Sequence, residues 1–94
     1  MSRFLVIHTV EDYNKWKSIF DEHAGVRKEY GGKGATLFRN ADNPHNLVIL
    51  WEWESAEKAR EFAQSDSLRD AMQRAGVQGM PTVIFLDEVE KVKV

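Results

Sequence analysis

Two histidines and an arginine are the side chains of this sequence best suited to chemistry. His23 and Arg27 stand one helical turn apart, on a stripe otherwise built from Trp16, Ile19, Phe20, Val26 and Tyr30. A polar pair on an inward face must find partners or line a cavity. His8 follows the apolar run Phe4-Leu5-Val6-Ile7 and shares a strand face with Phe4 and Val6. An imidazole titrates near neutrality, so either histidine can act as a general base toward an acidic C–H or O–H. A guanidinium, Arg27 or Arg39, can then hold the oxyanion that results. Each residue also has a plainer reading. His8 can bond to backbone at a strand end, Arg27 can pair with Glu22 or Glu29 in solvent, and the His23–Arg27 pair can bond across a subunit interface. Arg39 shares a strand face with Leu37, where a salt bridge at the rim is the simpler role.

Large aromatic side chains accompany these groups. Trp51 and Trp53 lie on one face of a strand with Leu47 and Ile49. Together with Trp16, Phe20, Phe62 and Met72 they can wall a pocket for an aromatic ligand or simply fill the core, the commoner fate of large rings in a small domain. A dedicated metal site is rejected, because no two of His8, His23 and His45 share a helix at the spacing of three or four that ligation favours. Gly31-Gly32-Lys33-Gly34 is not a phosphate loop either: it follows a helix and precedes a strand, the reverse of the required order. The absence of cysteine rules out disulfides, thiolate zinc sites and cysteine nucleophiles.

These residues must be positioned by one small domain spanning residues 1–94, with a loose charged tail from about residue 89. A hydrophobic content of 43% marks a globular chain, and a formal charge of −2 gives no reason to expect nucleic acid or an anionic membrane as partner. The first residues are too short an apolar stretch for a signal peptide, and no run approaches a membrane span, so the expected location is the cytoplasm.

Three stretches are apolar on consecutive residues: Phe4-Leu5-Val6-Ile7, Leu47-Val48-Ile49-Leu50-Trp51 and Val83-Ile84-Phe85-Leu86. Strand residues alternate between faces, so such runs predict strands buried on both sides. The first strand is read over Arg3–Thr9. One helix follows from an Asp12 cap through Tyr30, ended by Gly31-Gly32. A strand over Ala35–Asn40 and another over Leu47–Glu54 form a hairpin with a long turn, Ala41–Asn46. Ser55 caps a second helical region, which Ser65-Asp66-Ser67 interrupts. Ser67 and Asp70 then make a shortened capping box for its continuation, and Gly76 ends it. Gly79-Met80-Pro81 connects to the last strand.

The order is β-α-β-β-α-β, the ferredoxin-like arrangement of one antiparallel sheet with helices on one face. The uncovered face would carry members of all three apolar runs. That is far more apolar surface than a soluble monomer exposes, so the expected partner is a second copy: a homodimer with two sheets face to face, a dimeric α/β barrel.

At this level the chain resembles a known group. His8-Thr9-Val10-Glu11-Asp12-Tyr13, Trp16-Lys17, Phe20-Asp21-Glu22-His23-Ala24 and Leu37-Phe38-Arg39-Asn40 are similar to the small bacterial cyclase proteins. Glu52-Trp53, Ala59-Arg60-Glu61-Phe62-Ala63 and Ala71-Met72-Gln73-Arg74-Ala75-Gly76-Val77 continue the likeness. Those proteins belong to the dimeric α/β-barrel superfamily that includes antibiotic biosynthesis monooxygenases. The resemblance implies a pocket between helices and sheet, and chemistry without a cofactor, in which an activated aromatic or polyketide-like substrate reduces oxygen through its own carbanion. His8, Arg39, Trp51 and Trp53 are similar in kind to the Asn/Trp/Tyr/Arg set of such enzymes. Haem-degrading members need an axial histidine in the second helical region, and residues 55–75 contain none. The leading expectation is thus an apolar or aromatic small molecule bound in a pocket lined by His8, His23 and Arg27. A non-catalytic homodimeric module and an RNA-binding domain are the competing classes. The acidic balance and the lack of a basic-glycine-aromatic signature disfavour the RNA reading.

Overall fold

The computed structural model describes residues 2–94. Its elements are β1 (Ser2–Val10), α1 (Tyr13–Glu22), α2 (Ala24–Glu29), β2 (Gly32–Asn40), β3 (Asn43–Trp53), α3 (Ala56–Ala63), α4 (Asp66–Ala75) and β4 (Val77–Leu86). All strand pairs are antiparallel, in the order β2-β3-β1-β4. The ferredoxin-like sheet with its helices on one face is therefore as the apolar runs imply.

Register decides which side chains meet the helices. Phe4 pairs with Trp51 and Phe85, Val6 with Ile49 and Val83, and His8 with Leu47. All but Val83, which is 40% exposed, are buried or half-buried beneath the helices, beside Val10, Trp53, Trp16, Ala59 and Phe62. The alternate residues, Leu5, Ile7, Val48 and Leu50, point away from the helices. There they adjoin Phe38, which is 52% exposed, and Ile84 and Leu86, which are exposed too. No helix reaches this second face among the described residues, so the sheet is apolar on both sides and covered on one.

Local chemistry starts and stops the helices. Asp12 Oδ1 accepts from the Asn14 backbone N–H at 2.9 Å, and Ser55 Oγ from that of Lys58 at 3.2 Å. Gly76 ends α4 in the left-handed conformation, φ 77°, which a residue without Cβ adopts without strain.

Four local expectations are corrected. The helix expected to run unbroken to Tyr30 is interrupted at His23, which ends α1 and precedes α2. Gly25 in the next turn weakens helical continuation there, and the His23 side chain is held by α4. The cap of α4 is Ser65, whose Oγ accepts from Leu68 N–H at 3.1 Å, not Ser67. The β2–β3 connection is short, because Asn40 pairs directly with Asn43 and the register slips between there and the Arg39–Leu47 pair. Pro44 falls in this irregular stretch, where its missing N–H breaks no regular ladder. Finally, Gly79-Met80-Pro81 is not a connection before the last strand. It is an irregularity inside β4, between the pairs Ile7–Thr82 and Thr9–Gln78, and so lies opposite His8.

Candidate active site

The core between helices and sheet is a layer of rings. Phe4 contacts Trp51 and Trp53 at centroid distances of 6.0 and 5.7 Å. Trp16 stacks on Phe20 at 4.8 Å, and Phe20 meets Trp51 at 5.6 Å. Trp53 packs on Phe62 at 4.9 Å. A cavity of about 70 Å³ remains among these rings, between the helices and the sheet. Trp16, Phe20, Trp51, Phe62 and Met72 form its walls, with Ile49 and Leu68.

His8 faces this cavity from β1. It is only 7% exposed, and both ring nitrogens are buried without a hydrogen-bond partner. The edge of its ring meets Trp16 at 5.6 Å. Almost all buried polar side chains are satisfied, so an imidazole with two idle nitrogens in a cavity calls for a ligand or water. Desolvation lowers its pKa to about 4, and the ring is neutral at pH 7. It then offers one N–H donor and one acceptor.

His23 lines the same cavity but is occupied. Its Nε2 lies 2.8 Å from Ser67 Oγ, a hydrogen bond that ties the α1–α2 break to α4. Burial, then the positive charges of Arg27 and Arg74, lower its pKa. Ser67 is the partner that sequence reasoning missed, because it was read as the helix cap. With Ser65 in that role, Ser67 lies within the first turn of α4 and is free to meet the histidine.

Arg27 lines the cavity from α2. Its guanidinium donates to the Phe20 carbonyl, lies 4.0 Å from the Phe20 ring centroid and reaches 5.4 Å from that of Trp51. Burial pulls its pKa down, against the opposing charge of Asp21. The pairing with Glu22 or Glu29 that the sequence allowed is not formed; Glu22 pairs instead with Arg74 at 3.4 Å.

Two expected pocket residues stand elsewhere. Trp53 is completely buried in the core, where its indole N–H donates to the Tyr30 carbonyl at 3.0 Å. Arg39 lies 4.8 Å over the Tyr13 ring and does not line the cavity. Arg39 stands on the edge strand β2, across Leu47 from the cavity-lining His8 of β1.

A family model for antibiotic biosynthesis monooxygenase matches residues 10–74. The chain belongs to the antibiotic biosynthesis monooxygenase family. That match spans α1 to α4 and so includes every helix of the cavity, while His8 precedes it. Among curated proteins none matches the chain. Solved structures of the same fold include SnoaB, a cofactor-independent oxygenase from Streptomyces nogalater. It is 15% identical with a TM-score of 0.76, over 97% of this chain and 95% of that one. A Bordetella bronchiseptica protein provisionally named for the same family is also 15% identical, with a TM-score of 0.78 over 95% of this chain and 97% of that one. A conserved protein from Methanosarcina mazei has a TM-score of 0.59 at 14% identity, over 90% of this chain and 89% of that one. At these identities the structural likeness establishes the fold, and the family's site must be argued from this chain's own residues.

The His8 environment makes a pH prediction. The unfolded chain takes up a proton near pH 6.5, whereas the folded one resists until about pH 4. The neutral ring thus supports the fold fully above pH 6.5, and stability falls as pH drops toward 4, by as much as about 1.4 kcal/mol per pH unit. His8→Leu should remove one proton from this dependence in urea melts run across that range. A slope unchanged by the substitution would contradict a neutral, buried His8.

Proposed function

We propose that this chain binds an aromatic or polyketide-like small molecule in the cavity beneath α1, α2 and α4, and oxidises it as a cofactor-independent monooxygenase or cyclase-type enzyme. The observation that carries the reading is His8: a buried imidazole with both nitrogens free, among aromatic walls. Family membership supports the reaction class. In the proposed reaction His8 accepts a proton from an activated ring carbon or its phenol. The carbanion passes an electron to O₂, the two recombine as a peroxide, and loss of water leaves a carbonyl. Overall a CH₂ and O₂ become a C=O and H₂O, with every electron coming from the substrate. An imidazole of depressed pKa is a weak base in the empty cavity. It becomes a stronger one as negative charge develops beside it, and the Arg27 charge at the other end of the same cavity favours that anion through the apolar interior. His23, bonded to Ser67, holds the α1–α2 break in place as a positioning residue.

The cavity is smaller than a tricyclic substrate, about half the ~150 Å³ of an engineered cavity that accepts benzene. This size favours a second reading, a non-catalytic protein for a small ligand. Oxygen uptake with anthrone, a tricyclic C–H acid, separates the two. The proposal expects anthraquinone formation, with kcat at least a hundredfold lower in a folded His8→Ala variant. Uptake no faster than without protein contradicts the oxygenase reading and leaves the binding one.

We also propose that the apolar sheet face is covered by a second copy of the chain. Leu5, Ile7, Val48, Leu50, Phe38 and Ile84 make a continuous patch of the kind that soluble monomers rarely leave open. Sedimentation should give a dimer at micromolar concentration, and Ile84→Lys should give a folded monomer. A monomeric wild type would contradict the interface.

A further inference from the structure

A second, wider hollow adjoins the cavity. It is an open groove of about 580 Å³, bounded by α2, the Gly31–Ala35 stretch and Glu54. The two spaces share three lining residues, Phe20, Arg27 and Trp51. The guanidinium lying on those two rings is therefore part of the partition between the inner cavity and the outer groove.

The charge around this partition is one-sided. Arg27, Lys28 and Lys33 line the groove, and none of them has a carboxylate within 4 Å among the described residues. The one acid lining the groove, Glu54, is held by Lys58 at 3.0 Å. The acid closest to Arg27 in its electrostatic influence, Asp21, is engaged with Lys17. Arg27 is thus a half-buried cation with ring faces and one carbonyl for company. A charge taken from water without a counter-charge is costly, and an anion that supplied one would gain correspondingly.

We propose that the ligand is an amphipathic acid. Its carboxylate sits on Arg27 from the groove side, with Lys28 and Lys33 at the mouth, and its apolar end runs past the Phe20 and Trp51 rings toward His8. Arg27 then acts as the specificity-determining and positioning residue. The chain of contacts supports the division of labour: His8 meets Trp16, Trp16 stacks on Phe20, and Phe20 carries Arg27. Two rings separate the cation from the imidazole, which matches an elongated ligand with its charge at one end. Withdrawal of the guanidinium from the rings toward the carboxylate would also join the small cavity to the groove and make room for a ring.

This inference rests on the reading of the cavity as a ligand site, and the test separates the two. Cinnamate and its neutral isostere cinnamamide are titrated into the intact protein, with the indole N–H signals of Trp16 and Trp51 followed by NMR. Wild type should bind cinnamate about tenfold more tightly, the scale of a charge-assisted hydrogen bond, with the preference shrinking in high salt. Arg27→Gln should abolish the preference by weakening cinnamate alone, and Arg27→Lys should keep most of it. Equal binding of the two probes to wild type, or a preference that survives Arg27→Gln, overturns the acid specificity while leaving the ligand site standing. Parallel weakening of both probes in Arg27→Gln assigns Arg27 to wall packing and likewise overturns it. No response to either probe overturns both readings.

Discussion

Stiff rings packed between one sheet face and the helices are the constraint on which the rest of this structure depends. Trp16, Phe20, Trp51, Trp53 and Phe62 have few rotamers and large flat surfaces, so α1, α2 and α4 come to rest on them without closing completely. The space they leave is where His8 and Arg27 meet an apolar surface. The cavity's walls are largely these rings.

Electrostatics within that space are simple and asymmetric. His8 is neutral because burial strips its hydration with no charge to compensate. Arg27 stays charged because its intrinsic pKa is so high that burial cannot neutralise it. One end of the site therefore offers a neutral donor and acceptor, and the other offers a cation. Ser67 removes His23 from this competition by occupying its Nε2. The irregularity in β4 lies opposite His8, so the β1–β4 ladder is interrupted at the strand position that carries the site's free imidazole.

Much of this was legible in the sequence. The doubly apolar runs gave the sheet, and helical spacing brought Trp16, Phe20, His23 and Arg27 to one face. What escaped was longer-range or finer-grained. No local signal says that Ser65 outcompetes Ser67 as the cap of α4, yet that choice frees the partner of His23. Strand order, which no local pattern states, puts Arg39 on the edge strand β2 and away from the cavity. Trp53 differs from Trp51 by one strand repeat, but the Tyr30 carbonyl claims its indole and makes it core. The unsatisfied state of His8 is a property of surroundings drawn from α1, α4 and β3, and no reading of one strand contains it.

The central claim is that the cavity beneath the helices, with His8 at its inner end, is where a ligand binds. A crystal structure of the protein soaked with naphthol tests it most directly. The account predicts the ring between Trp16 and Phe62, with its hydroxyl within hydrogen-bond distance of a His8 ring nitrogen. A naphthol bound only on the apolar sheet face, above an unaltered cavity, would contradict it.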